Sequence, residues 1–247
     1  MVYENMDFDY IFDIFFSCGI IDVIEVIVLE FYYKDFRLSK LTDKKYRHLF
    51  YLLYWIVYGF FFFLLEKINF NRYFDMTTAF DRKIPFCEYF IVFYVLWYFY
   101  VSYVLIYTLF FDIDSFRKFS RFAMITYSVA IICYFVYPTV QTLRPETFAR
   151  DNLFVSAVRF LYTIDTPTNI MPSVHVIGSL TALFTVWNAK GHNKPIIRAI
   201  FTILAVLIIL STLFLKQHAV VDIVSGVLVC IAAYFIVFYK KKKSVKA

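Results

Sequence analysis

The chain has few of the residues that mark a disulfide framework, a flexible linker or a charged soluble surface. Cysteine occurs four times in 247 residues, as Cys18, Cys87, Cys133 and Cys230, each isolated in an apolar stretch. No CxxC spacing occurs, which argues against a metal centre and against a disulfide framework. A role as small hydrophobic side chains is expected instead. Glycine occurs five times, and there is no Gly/Ser linker, no internal repeat and no low-complexity tract beyond the terminal lysines. Charged residues make up only 18% of the chain. Residues 1–10 are acidic rather than basic, and no small-residue cleavage site follows, so no secretory signal is expected there.

What is present is oil. Hydrophobic residues account for 62% of the chain and aromatic ones for 23%, and the mean hydropathy is +0.67. Soluble domains average about 45–50% apolar, so a polytopic membrane protein is expected. Six runs read as spanning helices, at about 48–66, 86–111, 119–137, 173–189, 195–215 and 219–239. The fold class is therefore all-α, a six-helix transmembrane bundle. All six prolines fall at or between the ends of these runs, where a residue without an amide proton does least harm to helices.

The excess of 25 basic over 19 acidic residues has an explanation other than nucleic acid, because the basic residues cluster in alternate loops. Lys34, Arg37, Lys40, Lys44, Lys45 and Arg47 precede the first run. Arg117, Lys118 and Arg121 lie between the second and third, and Lys190, Lys194 and Arg198 between the fourth and fifth. Lys240, Lys241, Lys242, Lys243 and Lys246 form the tail. By the positive-inside rule that side is cytoplasmic. His48 and His192 fall in these basic segments and are expected at the surface.

Three units follow: an N-terminal segment 1–47, a six-span unit 48–239 and a basic cytoplasmic tail 240–247. Residues 8–33 are apolar yet carry Asp9, Asp13, Asp22, Glu25 and Glu30. Acids at membrane depth are costly, so a helix along the cytoplasmic interface is preferred there over a seventh span. In the long external loop 138–172, Phe154, Val158 and Leu161 recur at helical spacing and predict a short amphipathic helix on the outer surface.

Three polar islands interrupt the oil, all on the external side: 141–145, 172–175 and 216–218, the last followed by Asp222. His218 and Asp222 are four apart at a helix start and so share a face. A carboxylate there can fix one ring nitrogen and raise the nucleophilicity of the other; the bland reading is a pair that only staples the helix. Pro172 and Ser173 are ordinary helix openers, but the same helix start exposes amide N–H groups to an anion, and His175 adds a proton donor. Arg144 carries a fork suited to phosphate oxygens, although a lone loop arginine is usually just solvated. Lys216 is a second candidate cation, or a side chain reaching toward headgroups. No metal or other cofactor is implied by these residues.

In order, these pieces resemble the type 2 phosphatidic acid phosphatase superfamily of six-helix lipid phosphatases and phosphotransferases. Its motifs are KxxxxxxRP, PSGH and SRxxxxxHxxxD. The chain has Arg144-Pro145, Pro172-Ser173-Val174-His175, and Ser211 with His218 and Asp222. It departs at three positions: Tyr137 stands for the first motif's Lys, Val174 for Gly and Thr212 for the third motif's Arg. The reduced pattern looks more like the inositol phosphorylceramide and sphingomyelin synthase branch, which transfers a phosphorylated headgroup. The resemblance implies that His218, oriented by Asp222, attacks phosphorus to form a phosphohistidine. His175 would protonate the leaving alkoxide, while Arg144, Ser173 and Lys216 hold phosphate. The implied function is a cell-membrane lipid-phosphate phosphatase with its site on the extracytoplasmic side. Headgroup transfer, or a non-catalytic scaffold or transporter on the same fold, are the alternatives.

Overall fold

The computed structural model describes residues 33, 35–189, 192 and 194–238. Residues 8–32 of the expected interfacial helix lie outside the described residues, as do Lys34, Lys190 and the tail 240–247. Among the described residues eight α-helices follow in chain order: α1 (Tyr51–Lys67), α2 (Ala79–Lys83), α3 (Ile91–Phe111), α4 (Ile113–Val136), α5 (Leu153–Ile164), α6 (Val174–Asn188), α7 (Pro195–Phe214) and α8 (Val220–Val237). Two short strands, β1 (Phe74–Asp75) and β2 (Thr139–Val140), pair in parallel.

Five of the six expected spans coincide with helices long and apolar enough to cross a membrane: Arg47–Lys67, Glu88–Phe111, Ile113–Val136, Pro195–Phe214 and Val220–Val237. The exposed surface of α1 is apolar, with Ile56, Phe60 and Phe63 each more than 60% open. In water that would be a liability; against lipid chains it is the expected outer face. The sixth, α6, has only 15 residues. At a rise of about 1.5 Å per residue it spans about 22 Å, short of a hydrocarbon core of about 30 Å. Its position explains the brevity, because α6 packs against α3, α4, α7 and α8 together and meets protein rather than lipid on most of its surface.

Association of helices in lipid rests on close packing rather than on escape from water, and small residues permit it. The central helix has them: Gly178, Ser179, Thr181, Ala182 and Thr185 are all buried. The Thr181 and Thr185 hydroxyls donate back to the carbonyls of Ile177 and Thr181, at 2.7 and 2.8 Å, which meets their polarity within the helix. Gly178 is required by space. A Cβ there would stand 2.7 Å from both Trp97 Cζ2 and the Tyr127 hydroxyl.

Helix ends follow sequence signals. The Asp112 side chain accepts from Ser115 N and starts α4 at Ile113, six residues before the hydropathy run. The first turns of α4 carry Asp114, Arg117, Lys118 and Arg121, which hydropathy alone reads as loop. Asn152 caps α5 in the same way, and this helix matches the expected amphipathic segment, burying Val155, Val158 and Leu161.

Two expectations about histidines are corrected. His48 is 2% exposed and His192 is fully buried, although both sit in basic connecting segments. Ring packing is the reason. His192 lies edge-on to Tyr107 at 4.5 Å and near Tyr103 and Phe201, while His48 bonds the Tyr33 hydroxyl and packs on Phe116. In a chain this rich in aromatic rings, even loop imidazoles find apolar cover.

Candidate active site

The turn between α7 and α8 brings His218 to the front of the bundle. It ends α7 with Lys216 in the left-handed region (φ 55°), and the amides of Gln217 and His218 both donate to Thr212 O, at 2.9 and 3.1 Å. A left-handed non-glycine residue costs about 1–2 kcal/mol. Contacts around Lys216 hold it there: its carbonyl accepts from Gln141 Nε2 at 2.7 Å, and its ammonium donates to the carbonyls of Asp81 and Ile84, at 2.9 and 2.5 Å. Burial lowers the Lys216 pKa, and Asp81 opposes that shift. The structure therefore gives Lys216 a turn-fixing position, with two of its three N–H bonds directed at backbone.

Beyond the turn, His218 Nδ1 stands 3.4 Å from Asp222 Oδ2. Asp222 is fully buried; its Oδ2 also accepts from Ala219 N at 2.7 Å, so the carboxylate both starts α8 and faces the imidazole. This geometry favours the proton on Nδ1 and leaves the Nε2 lone pair as the reactive one. At this separation the two groups face each other without forming a hydrogen bond, and His218 Nδ1 has no other partner among the described residues.

The start of α6 docks directly on the start of α8: Ser173 N donates to Asp222 O at 3.2 Å. Ser173 Oγ accepts from Val176 N at 3.4 Å, capping α6. Close approach of the two helices depends on Gly226, where a Cβ would lie 3.1 Å from Val176 Cβ and 3.3 Å from Ser173 O. His175 then falls 5.6 Å from His218, ring centre to ring centre. It is wedged between Tyr94 at 4.4 Å and Trp97 at 4.6 Å. Both His175 ring nitrogens are buried without a protein hydrogen-bond partner among the described residues. Buried polar atoms in folded proteins are almost always bonded, and exceptions gather at functional positions.

Arg144 arrives from the external loop. Its guanidinium donates to Tyr162 O, Asp165 O and Gln217 Oε1, at 3.2, 2.6 and 2.5 Å, and lies 4.4 Å over the Tyr162 ring. Burial lowers its pKa, opposed chiefly by Asp165. Four of the six expected site residues, His175, His218, Asp222 and Ser173, thus touch or face one another. Arg144 joins through Gln217, the residue before His218, and Lys216 points away into backbone.

Several residues of the site carry no role in the sequence reading. Asp81, on α2, is 1% exposed. Its Oδ1 accepts from Val220 N at 2.7 Å, tying the loop after α1 to the first turn of α8, and its Oδ2 accepts from Thr78 N at 2.8 Å. Asp165 accepts from the Tyr94 hydroxyl and, at 3.3 Å, from Gln217 Nε2. The Thr-x-x-Asp capping pattern at residues 78–81 was visible and marks the start of α2; nothing in it points to Val220, 139 residues away. The positions where the motifs depart are packed otherwise. Tyr137 stacks on Phe74 at 4.1 Å, and the Thr212 hydroxyl donates to Ile209 O at 2.8 Å.

The site so assembled is a buried His–Asp pair facing a second histidine, at the joined starts of two membrane helices, with an arginine one residue removed. No curated protein and no solved structure matches the chain. A family model described as the PAP2 superfamily matches residues 63–236, well over half of the chain and inclusive of every residue of this site. The protein therefore belongs to the PAP2 superfamily, which has a helical membrane fold and is generally of the phosphatase and phosphotransferase type.

Proposed function

We propose that the protein is a lipid-phosphate phosphatase that hydrolyses a phosphomonoester or diphosphate through a phosphohistidine on His218. The supporting observation is the placement of His218 between Asp222, 3.4 Å from Nδ1, and the His175 ring, 5.6 Å away, whose own nitrogens have no protein partner among the described residues. In this reading His218 Nε2 attacks phosphorus while His175 protonates the departing alkoxide. Water then attacks the phosphohistidine with His175 taking its proton, returning both imidazoles to their starting states. Arg144 and the amides at the start of α6 stabilise the equatorial oxygens. The catalytic unit is residues 48–239, and the charge distribution supports a site on the extracytoplasmic face of the cell membrane.

Headgroup transfer is a second reading, favoured by one observation. At the positions of the family's two missing cations, Tyr137 and Thr212 bring no charge. A less charged phosphodiester suits such a pocket, and an acceptor alcohol would replace water in the second step.

Purified protein in detergent, assayed for phosphate release from phosphatidic acid, phosphatidylglycerol phosphate and undecaprenyl diphosphate, tests both. Release by wild type, absent in His218→Ala, is expected. Equal turnover in wild type and His218→Ala rejects the mechanism. Headgroup exchange to diacylglycerol without phosphate release assigns the transferase.

A further inference from the structure

At the end of the bundle away from His175 and His218, an open pocket of about 340 Å³ lies between the start of α1 and the first turns of α4, with His48 in its lining. The two ends are distinct. Toward its C-terminus α1 places Glu66 in contact with Thr166, and α4 places Tyr134 on Pro172 O at 2.6 Å, both beside the catalytic residues. The 17 residues of α1 separate the pocket from that level by about 25 Å.

Three guanidinium groups line the pocket: Arg47, Arg117 and Arg121. Arg121 Nε donates to the Tyr51 hydroxyl at 3.1 Å and Arg47 Nε to Thr42 O at 3.3 Å. Both bonds use the inner nitrogen, and among the described residues neither arginine has an ion pair. Arg117 pairs with Asp114 at 3.2 Å, but that side chain is 84% exposed, and surface pairs of this kind hold weakly. Three like charges around one opening repel one another unless an anion joins them. Phosphate matches the paired N–H geometry of such forks.

Apolar side chains share the lining with the charges. Phe50, which is 42% exposed, and Met124 line the same opening, so a ligand with phosphate at one end and hydrocarbon at the other meets both surfaces. Basic pockets between spanning helices suit anionic lipid headgroups. We propose that this pocket binds the phosphate of an anionic lipid in the leaflet opposite the catalytic histidines. A water-soluble phosphate ester shares the headgroup chemistry and is the competing source.

The test uses the full chain in detergent with dioctanoyl phosphatidylserine as probe, an anionic lipid without the phosphomonoester or diphosphate that the proposed hydrolase acts on, its binding measured by calorimetry. Wild type and His218→Ala are expected to bind alike, and dioctanoyl phosphatidylcholine to bind to neither. Arg117→Gln/Arg121→Gln should lose about 25-fold in affinity, about fivefold for each charge removed. Wild-type affinity should fall as salt rises. The free headgroup phosphoserine should displace the lipid only at far higher concentration; displacement at equal concentration would overturn the lipid assignment in favour of a soluble ester. Equal binding by wild type and the double variant, with unchanged thermal melting, overturns the site. Loss of binding in His218→Ala does so too, because it would place the probe at the catalytic end.

Discussion

His175 is the residue whose surroundings and proposed task agree most closely. Its ring is clamped by Tyr94 and Trp97, so its direction is fixed while both buried nitrogens are without a protein partner among the described residues. General acid–base groups contribute roughly 10²–10⁴-fold, and His175→Asn is expected to slow hydrolysis of an alkyl phosphate by that range. A nitrophenyl phosphate needs no proton on leaving. With it the same variant should form the phosphohistidine at near wild-type speed and accumulate it, as quenched labelling would show; equal slowing on both substrates would count against the acid role. His192 makes a different prediction. Burial lowers its pKa from 6.5 to about 4, with Asp112 opposing. The folded state therefore favours the neutral ring. Its contribution to stability is complete above pH 6.5 and is lost as pH falls from there toward 4. Melting temperature in detergent should drop across that window, and His192→Gln should flatten the drop.

At the scale of elements, the site depends on two helix starts held together by backbone. The Ser173 amide reaches Asp222 O, and Asp81 accepts from Val220 N, so α6, α8 and the loop carrying α2 meet at one point. Asp81→Ala removes that cap and leaves a buried amide unmet, a loss of about 1–2 kcal/mol in stability. Asp81→Asn keeps an acceptor for Val220 and should recover much of it in a thermal melt. Gly178→Ala is expected to cost about 1–3 kcal/mol by overpacking. Its Cβ would push on Trp97, 2.7 Å away, and Trp97 is one jaw of the His175 clamp. Activity should fall with stability in this variant, whereas Gly59→Ala, whose Cβ meets nothing within 4 Å, should leave both unchanged.

For the whole molecule, the bundle has one end that carries the His218–Asp222 pair with His175 and one basic end. Arg82 on the α2 side and Lys194 on the other are both exposed. In a background without native cysteines, Arg82→Cys should react with an impermeant thiol reagent added outside intact cells, and Lys194→Cys only after permeabilisation. The reverse pattern would invert the orientation read from lysine and arginine.

The sequence by itself determined the class and most of the skeleton. Apolar runs locate six helices, and five of them have the length that the thickness of hydrocarbon sets whatever the neighbours are, while α6 is shorter. The spacing of His218 and Asp222 points to their meeting, but His218 lies in the turn before α8, so that turn rather than helix periodicity sets it 3.4 Å from the carboxylate. The tertiary structure decided the rest, and each case turns on contacts between distant parts of the chain. The ammonium of Lys216 goes to carbonyls more than 130 residues earlier. Arg144 is gathered through Gln217 and Asp165, His48 and His192 vanish under aromatic rings, and Asp81 emerges as the cap of α8. A buried polar group must find partners wherever folding places them. The identity of those partners is a property of three-dimensional packing, which no local pattern encodes.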